Sequence, residues 1–237
     1  MERVLKYGVL TLIIVALLIS GLIIPRLLLN PPVNDAQVVL SEEPDLLPQQ
    51  KKEMVILDIY VPEVRVDLIY AGNNNIYGER LYDSKLAFLR RGTAEKLRKA
   101  QEEFALQGYT LKIWDAYRPP EVQFKLWQAM PDARFVINPH QGYSLHSRGV
   151  ALDVTLVDKN GNELPMPTGF DNFTSLADRN YNDIGETEAA NARLLEETMT
   201  KHGFHSIFYE WWHFIDQEGQ QYPVVTRSKL PLLLRKY

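Results

Sequence analysis

Ser144-Leu145-His146-Ser147-Arg148-Gly149-Val150-Ala151-Leu152-Asp153, running on into Val154-Thr155-Leu156-Val157, is the stretch from which the rest of the chain is best read. Its β-branched and aliphatic content predicts a strand over Val150–Val157. On a strand, Gly149, Ala151 and Asp153 share one face and Val150, Leu152 and Val154 the other. The second face is apolar and belongs to a core. The first carries two of the smallest side chains and then a carboxylate, which leaves open space above the strand. His146 sits just before it, where Gly149 allows the chain to bend the imidazole over that space. The competing reading is a surface histidine and a solvated aspartate.

A second stretch, Glu210-Trp211-Trp212-His213, lies between Ile207-Phe208-Tyr209 and Phe214-Ile215. These flanks predict a strand, on which residues three apart point to opposite faces. Glu210 and His213 therefore converge only if a bulge or turn intervenes. The alternative is an edge strand with an incidental Glu and His.

Cysteine is absent, which excludes disulfide frameworks, thiolate metal sites and Cys nucleophiles. A transition metal would have to be held by His, Asp or Glu. His146, Asp153 and His213 together offer two nitrogens and one oxygen. Three protein ligands with a fourth position left open is the arrangement of a catalytic zinc site, and structural sites are usually closed by four. Glu210 would then stand unligated beside the metal, placed as a general base. His140, His202 and His205 have no comparable setting, and His202 reads as a helix C-terminal residue favourable with the helix dipole.

Outward from these stretches, Val55–Tyr60 and Val64–Ala71 have strand composition, separated by Pro62. Thr93 is placed to cap a helix ending before Gly108, with Leu97, Ala100 and Phe104 on one side. Tyr109–Trp114 reads as a strand running into Asp115-Ala-Tyr-Arg-Pro-Pro, and Pro120 opens a helix over Glu121–Met130. An Asp158-Lys-Asn-Gly turn follows the central strand and leads into a return strand. Thr187 is placed to cap a third helix, with Ala190, Leu194, Leu195 and Met199 inward, ending at Gly203. Helices and strands without regular alternation predict an α+β fold with a small, mostly antiparallel sheet.

The chain has 237 residues, 46% apolar and 24% charged, with a net charge of -4. This is a globular composition, and the lack of a basic run speaks against nucleic-acid binding. Tyr7–Ile24 carries no charge and follows Arg3 and Lys6. It reads as an uncleaved signal anchor, a transmembrane segment over residues 1–29, with a cleaved signal peptide as the alternative. The basic residues ahead of it predict an extracytoplasmic domain tethered to the membrane, or an exported soluble one if the segment is cleaved. Residues 30–52, rich in Pro and acidic residues, read as a linker, and 53–237 as the catalytic domain.

Ser-x-His-Ser-Arg-Gly-x-Ala-x-Asp followed by Glu-Trp-Trp-His resembles the zinc D-alanyl-D-alanine dipeptidases of the VanX type. Ile113-Trp114-Asp115-Ala116-Tyr117-Arg118-Pro119 looks like that family's arginine motif, and Gly169-Phe170-Asp171 like its substrate loop. The resemblance runs from about Val64 to Ile215, with the motifs in the same order. It implies a compact zinc D,D-peptidase fold, shared with D,D-carboxypeptidases, murein endopeptidases and the Hedgehog domain, and one zinc per chain. By position it makes His146, Asp153 and His213 the zinc ligands and Glu210 the proton acceptor and donor. Arg118 matches the arginine that stabilises the transition state; Ser144, Asp171 and Tyr70 match substrate-contacting positions. One departure is Asn75-Ile76-Tyr77-Gly78, where the family has Asn-Phe-x-Gly. The implied reaction is hydrolysis of D-Ala-D-Ala to two D-alanines. The alternatives are a D,D-carboxypeptidase or murein endopeptidase, and a non-catalytic zinc-containing binding module, against which Glu210 and Arg118 argue.

Overall fold

In the computed structural model, which describes residue 46 and residues 48–230, a strand built from the quoted stretch lies at the centre of the main sheet. The strands are β1 (Met54–Ile56), β2 (Arg65–Val66), β3 (Phe88–Arg90), β4 (Thr110–Asp115), β5 (Ala151–Val157), β6 (Phe204–Ile207) and β7 (Glu210–Asp216). Five of them form one sheet in the order β2-β4-β5-β7-β6, and β1 pairs with β3 separately. Only β2 and β4 are parallel. The α+β expectation holds, because the antiparallel pairs need no crossover helix and the helices gather outside the sheet.

Every residue of β5 is buried, as a central strand requires. Val150, Leu152 and Val154 are fully inaccessible. Helix α1 (Arg91–Leu106) buries Leu97, Ala100 and Phe104 as expected, and α2 (Pro120–Ala129) starts at the proline. Helix α3 (Glu186–Lys201) buries Leu195 and Met199, but its inner face also takes Ala189 and Ala192 and leaves Ala190 exposed.

Several local expectations are corrected. The segment from Val55 turns helical at Leu57–Tyr60, and the one from Val64 ends in a 3-10 turn at Ile69–Ala71. Helix α1 starts two residues before Thr93, whose hydroxyl instead donates to buried Asp216 at 2.7 Å. Gly185, not Thr187, is the N-cap residue of α3. The return strand after Asp158 reduces to a single bridge between Val157 and Glu163.

Residues 1–29 and most of the linker lie outside the described residues. Among the described residues no helix is long and apolar enough to cross a membrane. The longest, α1 and α3, have 16 residues each, about 24 Å of rise, and carry charges along their length. The expected membrane-tethered, extracytoplasmic placement is corrected on this ground and is not carried further.

Gly149 closes the 3-10 turn His146–Arg148 in the left-handed region, with φ 73° and ψ 30°. A Cβ there would approach the Met54 thioether sulfur at 2.9 Å and the Arg90 amide at 3.4 Å. Gly149→Ala should therefore destabilise by about 1–2 kcal/mol, since methionine can yield but the backbone conformation cannot. For a domain of this size that is roughly 2–8 °C in Tm, readable by thermal unfolding.

Candidate active site

Register builds one wall of the site. Asp115 on β4 lies opposite Asp153 on β5, and Asp153 lies opposite His213 on β7. Their side chains thus meet across three strands, and a slip of one residue would turn Asp153 into the core. A bulge in β4 at Trp114 brings Asp115 into this row. On the other side of β7 the pairing jumps from Ser206–Phe214 to Ile207–Glu210. Residues 211–213 have no partner on β6. This is the bulge that Glu210 and His213 needed in order to converge, and Glu210 Oε2 stands 3.8 Å from His213 Nδ1.

His146 enters from the turn ahead of β5 and is almost wholly buried. Its Nδ1 lies 2.7 Å from the Ala116 carbonyl oxygen. Donation there fixes Nδ1 as the protonated nitrogen of the neutral ring and leaves the Nε2 lone pair facing inward. The turn is stitched to the arginine loop by two more bonds. The Arg118 amide donates to the His146 carbonyl at 3.3 Å, and the Ser147 hydroxyl to the Arg118 carbonyl at 2.9 Å.

His146 Nε2, His213 Nδ1 and the Asp153 carboxylate could hold a metal ion, their ligand atoms all lying within 4.8 Å of one another. The separations are 3.2 Å between the two nitrogens, 2.9 Å from His213 Nδ1 to Asp153 Oδ1 and 3.4 Å from His146 Nε2 to the other carboxylate oxygen, Oδ2. The edge of a tetrahedron with metal–ligand bonds of about 2.0–2.1 Å is about 3.3–3.4 Å, so the donor set fits zinc. The chemistry fits as well, since two imidazole lone pairs directed at each other beside a carboxylate repel unless a cation or proton lies between them. Burial alone would raise the Asp153 carboxyl, but the two imidazoles outweigh it and hold it below the usual range. Burial lowers His213, although the Asp153 contact opposes it.

Around this trio close the other residues expected from the sequence. Arg118 is buried and gives Asp115 two bonds, Nε at 3.0 Å and Nη2 at 2.7 Å, with Asp153 at 3.6 Å from Nη2. The Arg118–Asp115 ion pair therefore exists, but inside the site, where Asp115 also accepts from the Tyr82 hydroxyl at 2.6 Å. Asp115 keeps the guanidinium charged far above neutral pH against the opposing effect of burial. Burial, then the nearby Asp153 charge, pushes Glu210 well up.

Tyr70 and Asp171, a hundred residues apart in sequence, meet. The phenol donates to both carboxylate oxygens, at 3.0 and 2.9 Å. Asp171 has φ 58°, a left-handed conformation that aspartate tolerates better than most residues. Burial raises its pKa to about 7, with the Tyr70 bond working against the rise. Ser144 accepts the His146 amide on its hydroxyl oxygen and keeps its own proton to give. All eight residues line one cavity of about 530 Å³, walled on its apolar side by Phe135, Val136, Phe173 and Tyr209.

Sequence reasoning missed Tyr82, the Ala116 carbonyl and the apolar wall, whose residues come from loops without periodic pattern. The departure at Asn75–Gly78 is absorbed locally. Ile76 is exposed, and Tyr77 packs its ring 6.0 Å from that of Tyr70. Asn75 pins the loop through the Gly72 and Glu79 carbonyls. His140 stacks edge-on to Phe124, and His202 pairs with Glu103 at 2.7 Å, both outside the cavity.

Comparison with known sequences identifies the family. Residues 50–228 match the peptidase M15 family, described as D-ala-D-ala dipeptidase. A D-alanyl-D-alanine dipeptidase of Escherichia coli strain K12 is 37% identical over 174 residues, covering 73% of this chain and 90% of that protein. Those of Enterococcus faecium and of Enterococcus faecalis strain V583 are 34% and 32% identical, covering 70% and 68% of this chain and 92% and 89% of theirs. The matched region begins after the N-terminal apolar run, so the family lends that run's membrane reading no support. The chain belongs to the peptidase M15 D-Ala-D-Ala dipeptidase family of zinc metallopeptidases.

Proposed function

We propose that this chain hydrolyses the free dipeptide D-Ala-D-Ala to two D-alanines, with one zinc held by His146, Asp153 and His213. The observation that carries this reading is a buried carboxylate, Asp171, lining the same cavity as the candidate metal trio and Glu210. A carboxylate at that place suits a substrate's free ammonium group, which a dipeptide offers and a wall peptide lacks at that position.

Zinc, when bound, supplies Lewis acidity and makes water easier to deprotonate. Glu210 takes a proton from the attacking water as its oxygen bonds to the carbonyl carbon. It returns that proton to the amine nitrogen as the C–N bond breaks. Glu210 must start ionised, which a cation at the trio would favour by offsetting the Asp153 charge that, after burial, pushes its carboxyl up. Arg118 presents a fixed positive charge to the carbonyl oxygen as negative charge develops there, and its two bonds to Asp115 keep it from turning away. Asp171 and Tyr70 hold the ammonium end, and the Ser144 hydroxyl has a proton free for the substrate. Phe135, Phe173 and Tyr209 give the cavity an apolar wall beside the reacting centre.

Three measurements test the reading. Metal analysis of the purified full-length chain should give one zinc, and strongly reduced zinc in His146→Ala; an unchanged content would remove His146 from the ligand set. Next, N-acetylation of the substrate leaves Asp171 buried without a counter-charge, a loss of about 2–5 kcal/mol. The kcat/KM for N-acetyl-D-Ala-D-Ala should accordingly lie about 30-fold or more below that for the free dipeptide. Equal turnover would favour a carboxypeptidase.

The third concerns pH. Asp171 must be ionised to hold the ammonium, so kcat/KM should fall as pH drops through about 7, or somewhat lower where a bound cation screens Asp153. The same shift has a stability cost with a definite sign. A carboxyl whose folded pKa is raised favours the folded state below its unfolded value near 3.8 and loses that stability as pH rises through 7. Asp171→Asn, which tolerates the left-handed backbone, should therefore raise Tm at pH 8 while lowering kcat/KM. A fall in Tm would show that the carboxylate is not strained there.

A further inference from the structure

The convergence of Glu210 and His213 depends on a bulge, and a bulge strips backbone groups of their ladder partners. Residues 211–213 of β7 have no partner on β6. Buried carbonyls in such a stretch must find donors elsewhere. They find them on one side chain. Arg179 Nη2 donates to the carbonyls of Glu210 at 3.2 Å, Trp211 at 3.0 Å and His213 at 3.2 Å, and its Nε donates to that of Ile207 at 2.8 Å. The Arg179 amide donates to Phe208 O at 2.9 Å, so that backbone and side chain of one residue span the whole β6–β7 turn. The guanidinium lies 4.9 Å over the Phe214 ring, and its other nitrogen, Nη1, meets Glu196 at 3.2 Å. The side chain is only 6% exposed and does not line the cavity.

We propose that Arg179 is the positioning residue of this site: its guanidinium clamps the bulge of β7 in the one shape that aims both Glu210 and His213 at the same point. Two of the carbonyls it holds belong to those residues themselves. Rotation of either peptide unit would swing the attached side chain; Glu210 is also paired with Ile207, whereas His213 has no ladder partner on β6. The guanidinium meets the turn from two nitrogens fixed in one plane: Nε holds Ile207, while the Glu210, Trp211 and His213 carbonyls share the two hydrogens of Nη2. A lysine would bring the charge but has no second, rigidly placed nitrogen to hold Ile207 while the first holds the bulge.

This inference rests on reading Glu210 as the proton carrier and His213 as a zinc ligand. It is tested on the full-length chain with Arg179→Lys and, as control, Glu196→Gln, which removes the charged partner at the far end of the guanidinium, where the Tyr181 hydroxyl also accepts from Nη1 at 3.1 Å, and touches no clamped carbonyl. Steady-state kinetics with D-Ala-D-Ala and the zinc dissociation constant by chelator competition are read beside Tm. For Arg179→Lys we expect kcat down 10–100-fold with KM within about threefold, and zinc bound about tenfold more weakly, the scale on which groups supporting metal ligands act. Glu196→Gln should keep kcat and zinc affinity within about twofold, whatever its Tm. If the lysine variant does not fold, Arg179→Gln is judged by the same pair of readings. A folded variant that loses Tm but keeps kcat and zinc affinity would overturn the proposal, as would an equal loss in Glu196→Gln. A wild-type chain that binds no zinc, or leaves the dipeptide intact, would instead overturn the functional reading beneath it.

Discussion

Four carboxylates buried around one guanidinium set the terms for the rest of this structure. Asp115, Asp153, Asp171 and Glu210 are each at most 7% exposed, and among the described residues Arg118 is the cation that reaches into their midst. A buried charge without a partner is expensive enough that the group takes up a proton instead. Burial pushes Asp171 and Glu210 upward in this way, while Asp153 and Arg118 keep their charges because they have close partners. A divalent cation among His146, Asp153 and His213 relieves the imbalance, and that is the electrostatic case for zinc at this place. The same excess of negative charge would favour both a metal and the cationic substrate terminus of the proposed reading.

The scaffold exists to keep this arrangement dry and in register. Asp115, Asp153 and His213 are neighbours across three strands, so their spacing is inherited from the sheet rather than from flexible loops. Below them Trp114, Phe170, Trp211 and Trp212 form a bed of rings 5.3–5.7 Å apart. Such aromatic contacts add to the burial of large apolar area and leave little room for rearrangement. The turn bearing His146 and the loop bearing Arg118 are tied to each other directly. Motifs almost thirty residues apart thus move as one body.

Pocket selectivity is a separate matter from catalysis. In the proposed reading the metal trio, Glu210 and Arg118 would serve the cleavage of many peptide bonds, and the Tyr70–Asp171 end would limit length. That end is made by a 3-10 turn and a loop residue in a left-handed conformation, elements whose geometry is easily changed by substitution.

The sequence by itself determined the family and the candidate chemistry: without cysteine a metal would fall to His, Asp or Glu, and the motifs singled out His146, Asp153 and the Glu-Trp-Trp-His pair as candidates. The two faces of the strand through Asp153 were legible too, because the period of two is written in Gly149, Ala151 and Asp153 against Val150, Leu152 and Val154. Helix existence was legible from periodicity, but the starts were not, since Thr93 is drawn inside α1 by a tertiary bond to Asp216. The apolar Tyr7–Ile24 run was equally plain as composition, yet the membrane placement read from it found no counterpart in any described helix. Only the tertiary structure decided that Glu210 and His213 face one point. Their spacing on a regular strand sends them apart, and the bulge that reunites them depends on a guanidinium thirty residues earlier, in a loop with no pattern of its own. The depth of Asp171 was hidden for the same reason: burial is a property of what packs over a residue, and here that is Tyr70, a hundred residues away.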